Sequence, residues 1–196
     1  MEIKDWKQID GDNTMALDWQ LDENSHVWEI GGFEGRWVQQ MWDKFHCNIT
    51  VFEPQLWAVE KMKKRFEGIS KIDIRPYGLW IEDCTIAIGD FHTDGASVLK
   101  HNRDVETGEF RNYYHEIFFH KSEHIDVCLM NIEGAEYTLI PFITESNAIN
   151  KIINFWCQFH LLGADDMRHE SIFDNMAKTH EMIWNCFPTA VAWRKK

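Results

Sequence analysis

Apolar positions along this chain recur at two periods, and each switch between them marks an element. His26–Ile30 is a short apolar run between polar residues and glycines, which predicts a strand. Residues 35–45 then place Trp37, Val38, Met41, Trp42 and Phe45 on one face at helical spacing. A second strand at 49–53 is closed by Pro54, and 56–66 follows as a helix with Val59, Met62 and Phe66 aligned. Residues 72–77 predict a third strand. Residues 84–89 alternate like another, and 117–119 are a weaker candidate. Residues 125–131 have the unbroken apolarity of a strand buried on both faces, and 136–142 open a helix. A strand at 152–159 and a helix at 168–178 come next, then an antiparallel pair at 180–184 and 190–194.

Strands interleaved with helices predict an α/β fold around a parallel sheet with right-handed crossovers. Residues 89–112 are polar and aperiodic, a long loop placed where a substrate lid could lie. At 196 residues the chain is large enough for one domain with its own core. The expected division is an N-terminal extension at 1–25 and a single domain at 26–196.

Charge narrows the partners. The net charge is −12 and the pI about 5.2, which argues against nucleic acid, because phosphate contacts need clustered Lys and Arg. Lys61-Met-Lys-Lys-Arg65 reads as the solvated face of a helix, and Arg194-Lys-Lys196 as a solvated tail. Five cysteines, an odd number without a CxxC pair, point to a reducing compartment. No signal core and no apolar run of spanning length is present, so a soluble, cytoplasmic protein without a membrane span is expected.

Two stretches concentrate the chemistry. Val27-Trp-Glu-Ile-Gly-Gly-Phe-Glu-Gly35 is a strand ending in a carboxylate and a glycine-rich turn, a form that lets backbone approach a nucleotide-like ligand closely. Val127-Cys-Leu-Met-Asn-Ile-Glu-Gly-Ala-Glu136 is a buried strand whose C-terminal end gathers polar groups around a glycine. Ligands of open parallel sheets collect outside the carboxyl ends of strands, so both stretches should face one crevice. Glu53 at the end of the second strand can accept hydrogen bonds from both hydroxyls of a ribose. The P-loop Lys and Ser/Thr are missing, which speaks against phosphoryl transfer. An adenosyl ligand carrying a sulfonium would suit a site lined by Glu29 and other acids.

These stretches resemble the FkbM-type family of S-adenosylmethionine-dependent methyltransferases. The glycine turn is similar to that family's V-x-D-x-G-A-x-x-G, Phe52-Glu53-Pro54 matches its F-E-P, and Met130-Asn-Ile-Glu-Gly-Ala-Glu136 stands where it has K-I-D-V-E-G-A-E. Gln158-Phe159-His160 takes the place of its E-x-H. The resemblance covers roughly residues 25 to 165. It implies a Rossmann-like class I methyltransferase sandwich, a mostly parallel seven-stranded sheet with a C-terminal antiparallel hairpin. It also implies S-adenosylmethionine as cofactor, no metal, and a hydroxyl on a sugar or small metabolite as acceptor. Glu29, Gly31, Gly32, Phe33 and Gly35 would seat the methionine moiety. Glu53 with Pro54 would hold the ribose, Tyr77-Gly78 would meet the adenine edge through backbone, and Asn131 would lie beside the methyl group. His160, with Glu133 and Asn131, would orient or deprotonate the acceptor, while Glu136 reads as mainly structural. Trp80 and Phe33 stand where they could flank adenine or simply pack.

Three departures matter. Glu29 replaces the family's Asp, and Asn131 and Gln158 replace acids with amides that cannot take a proton. A family member that binds cofactor without turnover is therefore an alternative. Base methylation would need an Asn/Asp-Pro-Pro-Tyr/Phe corner, and Asn131 is followed by Ile132-Glu133-Gly134. A nicotinamide dehydrogenase would need G-x-G-x-x-G, which the turn lacks. His115-Glu116-Ile-Phe-Phe-His120 lacks zinc-protease spacing.

Overall fold

The computed structural model describes residues 5–99, 104–120, 122–161 and 167–196. Its strands are β1 (His26–Ile30), β2 (Asn48–Phe52), β3 (Ile72–Arg75), β4 (Gly78–Trp80), β5 (Cys84–Ile88), β6 (Glu106–Asn112), β7 (Ile125–Met130), β8 (Ile152–Cys157), β9 (His180–Cys186) and β10 (Ala190–Lys195). The helices are α1 (Arg36–Phe45), α2 (Leu56–Arg65), α3 (Tyr113–Phe119), α4 (Glu136–Glu145) and α5 (Arg168–Met176).

Seven strands form one sheet in the order β3-β2-β1-β7-β8-β10-β9. All pair in parallel except β10, which runs antiparallel to both neighbours and closes the terminal hairpin. The chain order reverses between β1 and β7, so the tips of β1, β2, β7 and β8 frame the switch point where such sheets bind ligands.

Strand alternation sorts side chains into two cores. One face carries Trp28, Ile30, Cys128 and Met130 against α3, α4 and α5, and the other carries Val27, Val51, Val127 and Leu129 against α1. Trp37, Val38 and Met41 form the buried stripe of α1, as their spacing required. The second core extends into the N-terminal segment. Trp6 lies 5.2 Å from Trp184 and 6.3 Å from Trp156 between ring centroids, and Ala16, Leu17 and Trp19 are buried beside it. The indole N–H groups of Trp19 and Trp37 both donate to the Ala16 carbonyl.

Three expectations need correction. Residues 117–119 are helical, the end of α3, which Asn112 caps by accepting the His115 N–H. Residues 84–88 do form a strand, but in a separate three-stranded sheet ordered β4-β6-β5. The loop expected over 89–112 holds β6 at its end; its residues 100–103 lie outside the described residues. Among the described residues no helix is long and apolar enough to cross a membrane.

Candidate active site

At the tip of β1 the backbone turns through Gly31 at φ +89°, and a Cβ there would lie 2.0 Å from the Asn131 carbonyl oxygen. Only glycine permits that approach, so the tips of β1 and β7 touch. The turn then brings the Phe33 N–H to Glu53 Oε2 at 2.8 Å, and the Gln55 N–H reaches Oε1 at 2.9 Å. Glu53 is 3% exposed, and burial pushes its carboxyl up to about 7 even though those two backbone bonds pull the other way.

Glu29 follows the parity of Val27 onto the α1 face and is 4% exposed. Its Oε2 is buried without a hydrogen-bond partner. Burial first, and the neighbouring Glu53 charge second, raise its pKa well above the ordinary carboxylate range, against a bond from the Val38 backbone. Two buried acids thus share a site in which neither forms an ion pair among the described residues.

Both acids line a cavity of about 320 Å³ that runs over the strand tips from β2 to β8. That volume suits a small ligand. The small sheet supplies one wall through Trp80 and Phe110, and the 89–99 segment supplies cover through Asp94, Ala96 and Val98. This cover is tied down at both ends. Gln55 Oε1 accepts the His92 N–H at 2.9 Å, and the Ser97 hydroxyl donates to the Glu133 carbonyl at 2.7 Å. Asp12, which accepts the indole N–H of Trp6 packed on Trp156 of β8, and Ala16 close a further side.

The β7–α4 turn is locked from behind. Glu136, with no exposed surface, accepts the N–H groups of Ile132 and Gly134 at 2.9 and 2.8 Å. His160 bridges two acids, with Nε2 at 2.9 Å from Glu133 Oε1 and Nδ1 at 3.0 Å from Glu136 Oε1. Burial alone would lower its pKa, but the hydrogen bonds and charges of the two carboxylates outweigh it and raise the imidazole to about 9. Glu133 itself sits at φ +53°, a backbone conformation that a non-glycine residue holds only when its surroundings impose it.

No family model and no curated protein matches the chain. Among solved structures it is similar to an rRNA methylase from Streptococcus thermophilus, with 15% identity, coverage of 98% of each chain and a TM-score of 0.55. It is also similar to M. capricolum TrmK in complex with S-adenosyl-homocysteine, with 10% identity, coverage of 96% of this chain and 68% of that one, and a TM-score of 0.53. A human methyltransferase 10 domain containing protein aligns at 13% identity over 96% of this chain and 80% of that one, with a TM-score of 0.56. The fold is a Rossmann-like methyltransferase fold.

Within that fold, the expected residues Glu29, Gly31, Gly32, Phe33, Glu53, Pro54, Gly78, Asn131 and Glu133 all border the cavity. Three do not border it. Gly35 packs behind the turn against Phe66 and Met62, and Tyr77 points its hydroxyl to Glu116 at 3.2 Å. His160 stands behind Glu133 with both ring nitrogens engaged. Sequence reasoning missed Trp156, Gln55, Asp12 and Ala16. Trp156 looked like core because it lies inside an apolar strand. Its register opposite Leu129, itself opposite Glu29, is the signal that places it in the site.

Proposed function

We propose that the protein is an S-adenosylmethionine-dependent methyltransferase acting on a small acceptor. The observation that carries this reading is the pair of buried carboxylates, Glu29 and Glu53, in one cavity at the sheet's switch point. When bound, the sulfonium cofactor supplies an electrophilic methyl group. Each Glu53 oxygen accepts one backbone N–H and retains a lone pair for a ribose hydroxyl. Glu29, with an unpartnered oxygen, faces the cationic end, whose positive charge would favour its ionised form against the burial that raises its pKa. Gly31 and Gly32 let the turn close on Asn131 and Val51 while it borders the cavity, Gly78 presents backbone to the base, and the 89–99 cover excludes water.

The shared fold and the glycine-turn, Phe-Glu-Pro and Glu-Gly-Ala-Glu motifs support an FkbM-type lineage. That resemblance supports a sugar or small-metabolite hydroxyl as acceptor. Transfer to a hydroxyl needs a proton removed, however, and His160, the residue expected to assist, is held doubly paired behind the wall. Asp12, Glu34, Asp94 and Glu133 outnumber Arg36 around the cavity, which disfavours a polyanionic acceptor such as RNA. Five free cysteines support a reducing compartment such as the cytoplasm.

A second reading, cofactor binding without turnover, draws on the amides Asn131 and Gln158 where the family has acids. Thermal-shift titration tests the first step of both. S-adenosylmethionine and S-adenosyl-homocysteine should stabilise the protein and NAD should not; stabilisation by NAD alone would move the assignment to a dehydrogenase.

A further inference from the structure

Register across the central sheet aligns a second set of unsatisfied groups with the first. Glu29 pairs with Leu129, and Leu129 with Trp156, so these three occupy one row on the α1 face of β1, β7 and β8. Two strand spacings, roughly 10 Å, separate the ends of that row. Glu29 Oε2 is unpartnered at one end and Trp156 Nε1 at the other, where the tryptophan is only 5% exposed. Asn131, just beyond β7, lies between them in sheet order, and its Oδ1 is a third buried atom without a partner. All three residues border the same cavity.

A buried unpaired indole N–H is costly, and a ligand atom that accepts from it recovers that cost. The adenosyl ligand is expected over β2 and β1, which leaves the β7–β8 end, under Asp12 and Ala16, for a second molecule.

We propose that this end of the cavity is the acceptor subsite and that it selects a small, uncharged nitrogen nucleophile, an aromatic amine. The inference rests on the methyltransferase reading. The groups nearest the β7 and β8 tips, Asn131, Trp156 and Gln158, are two amides and an indole, none of which takes up a proton. Glu133 already pairs with His160. The other carboxylates of the wall are committed elsewhere, Asp12 to the Trp6 indole N–H and Glu29 to the cationic cofactor, so a hydroxyl would become a strongly acidic oxonium with no free base beside it. A weakly basic amine keeps its lone pair at neutral pH while one N–H donates to Asn131 Oδ1. That lone pair forms the new N–C bond, the S–C bond breaks with its electrons returning to sulfur, and the nitrogen then releases a proton to water. Trp156 Nε1 would donate to a carbonyl or ring acceptor elsewhere on the same molecule. The acidic rim turns away carboxylate- and phosphate-bearing candidates.

A matched pair tests this by binding and by methyl transfer. Protein saturated with S-adenosyl-homocysteine is titrated with 4-aminobenzamide and with 4-hydroxybenzamide, by calorimetry and saturation-transfer NMR. Either an N–H or an O–H can donate to Asn131 Oδ1, so both should bind; with S-adenosylmethionine in place of the homocysteine product only the amine should gain a methyl group. Trp156→Phe should weaken the amine about fivefold and leave the S-adenosyl-homocysteine affinity unchanged. Methylation of the phenol or of neither compound, binding of neither, or indifference to Trp156→Phe overturns the acceptor proposal and leaves the methyltransferase reading standing. Failure of S-adenosyl-homocysteine itself to bind overturns both.

Discussion

His160 Nδ1 lies 3.0 Å from Oε1 of Glu136, a fully buried carboxylate that also receives the N–H groups of Ile132 and Gly134. Because the opposite ring nitrogen meets Glu133, the imidazole donates from both sides and is held as a cation. Its work is to brace the turn that carries Asn131 and the strained Glu133. Proton abstraction is a task for a neutral imidazole.

That bracing has a pH signature. The folded His160 titrates at about 9, above the ordinary value near 6.5, so its stabilisation is complete below about pH 6.5 and is lost as pH rises through about 9. The melting temperature of the wild type should exceed that of His160→Gln most at pH 6, and the gap should close by pH 10. A gap that stays constant over that range would contradict the bridge.

Glu53 acts in the opposite direction to most carboxylates. Its folded pKa of about 7 lies above the free value of 4.5, so the ligand-free protein should lose stability as pH rises from about 4.5 through 7. The upper bound on that loss is about 3 kcal/mol. Urea unfolding at pH 5 and pH 8 measures it, and Glu53→Gln should flatten the difference.

Two glycines with similar φ separate backbone strain from crowding. Gly31→Ala would drive a Cβ into the Asn131 carbonyl at 2.0 Å, whereas the Cβ of Gly68→Ala, at φ +83°, meets nothing within 4 Å. We expect Gly68→Ala to cost about 1 kcal/mol and Gly31→Ala at least about 3 kcal/mol, read from denaturant midpoints.

Trp6 is 6% exposed, packs on Trp156 and Trp184, and donates its indole N–H to Asp12 at 2.9 Å. Trp6→Ala should lower the unfolding free energy by about 3 kcal/mol and shift the midpoint accordingly, as truncation of a buried tryptophan does. An unchanged midpoint would mark residues 1–25 as an appendage to the domain that begins at residue 26.

Long apolar runs and strong turn signals made most of the central sheet legible. β1, β2, β7 and β8 stand within a residue or two of the spans their patterns predict. β6 was hidden because its inward positions are Gly108 and Phe110 among polar neighbours, and a glycine carries no hydrophobic signal. Residues 117–119 are too short to distinguish strand from helix by period alone. In the site, Glu29, Glu53 and Asn131 were readable because strand-end position is encoded locally. The double bridge of His160 and the approach of residues 12–16 depend on contacts between segments distant in sequence, which a local pattern cannot carry.

Calorimetric titration of the wild type and Glu53→Gln with S-adenosyl-homocysteine at neutral pH tests the central claim most directly. The wild type should bind one equivalent, and Glu53→Gln should bind at least roughly tenfold more weakly, because an amide accepts through one atom where the carboxylate accepts through two. No binding by the wild type, or equal affinity in the two proteins, would contradict the assignment of this cavity to an adenosyl cofactor.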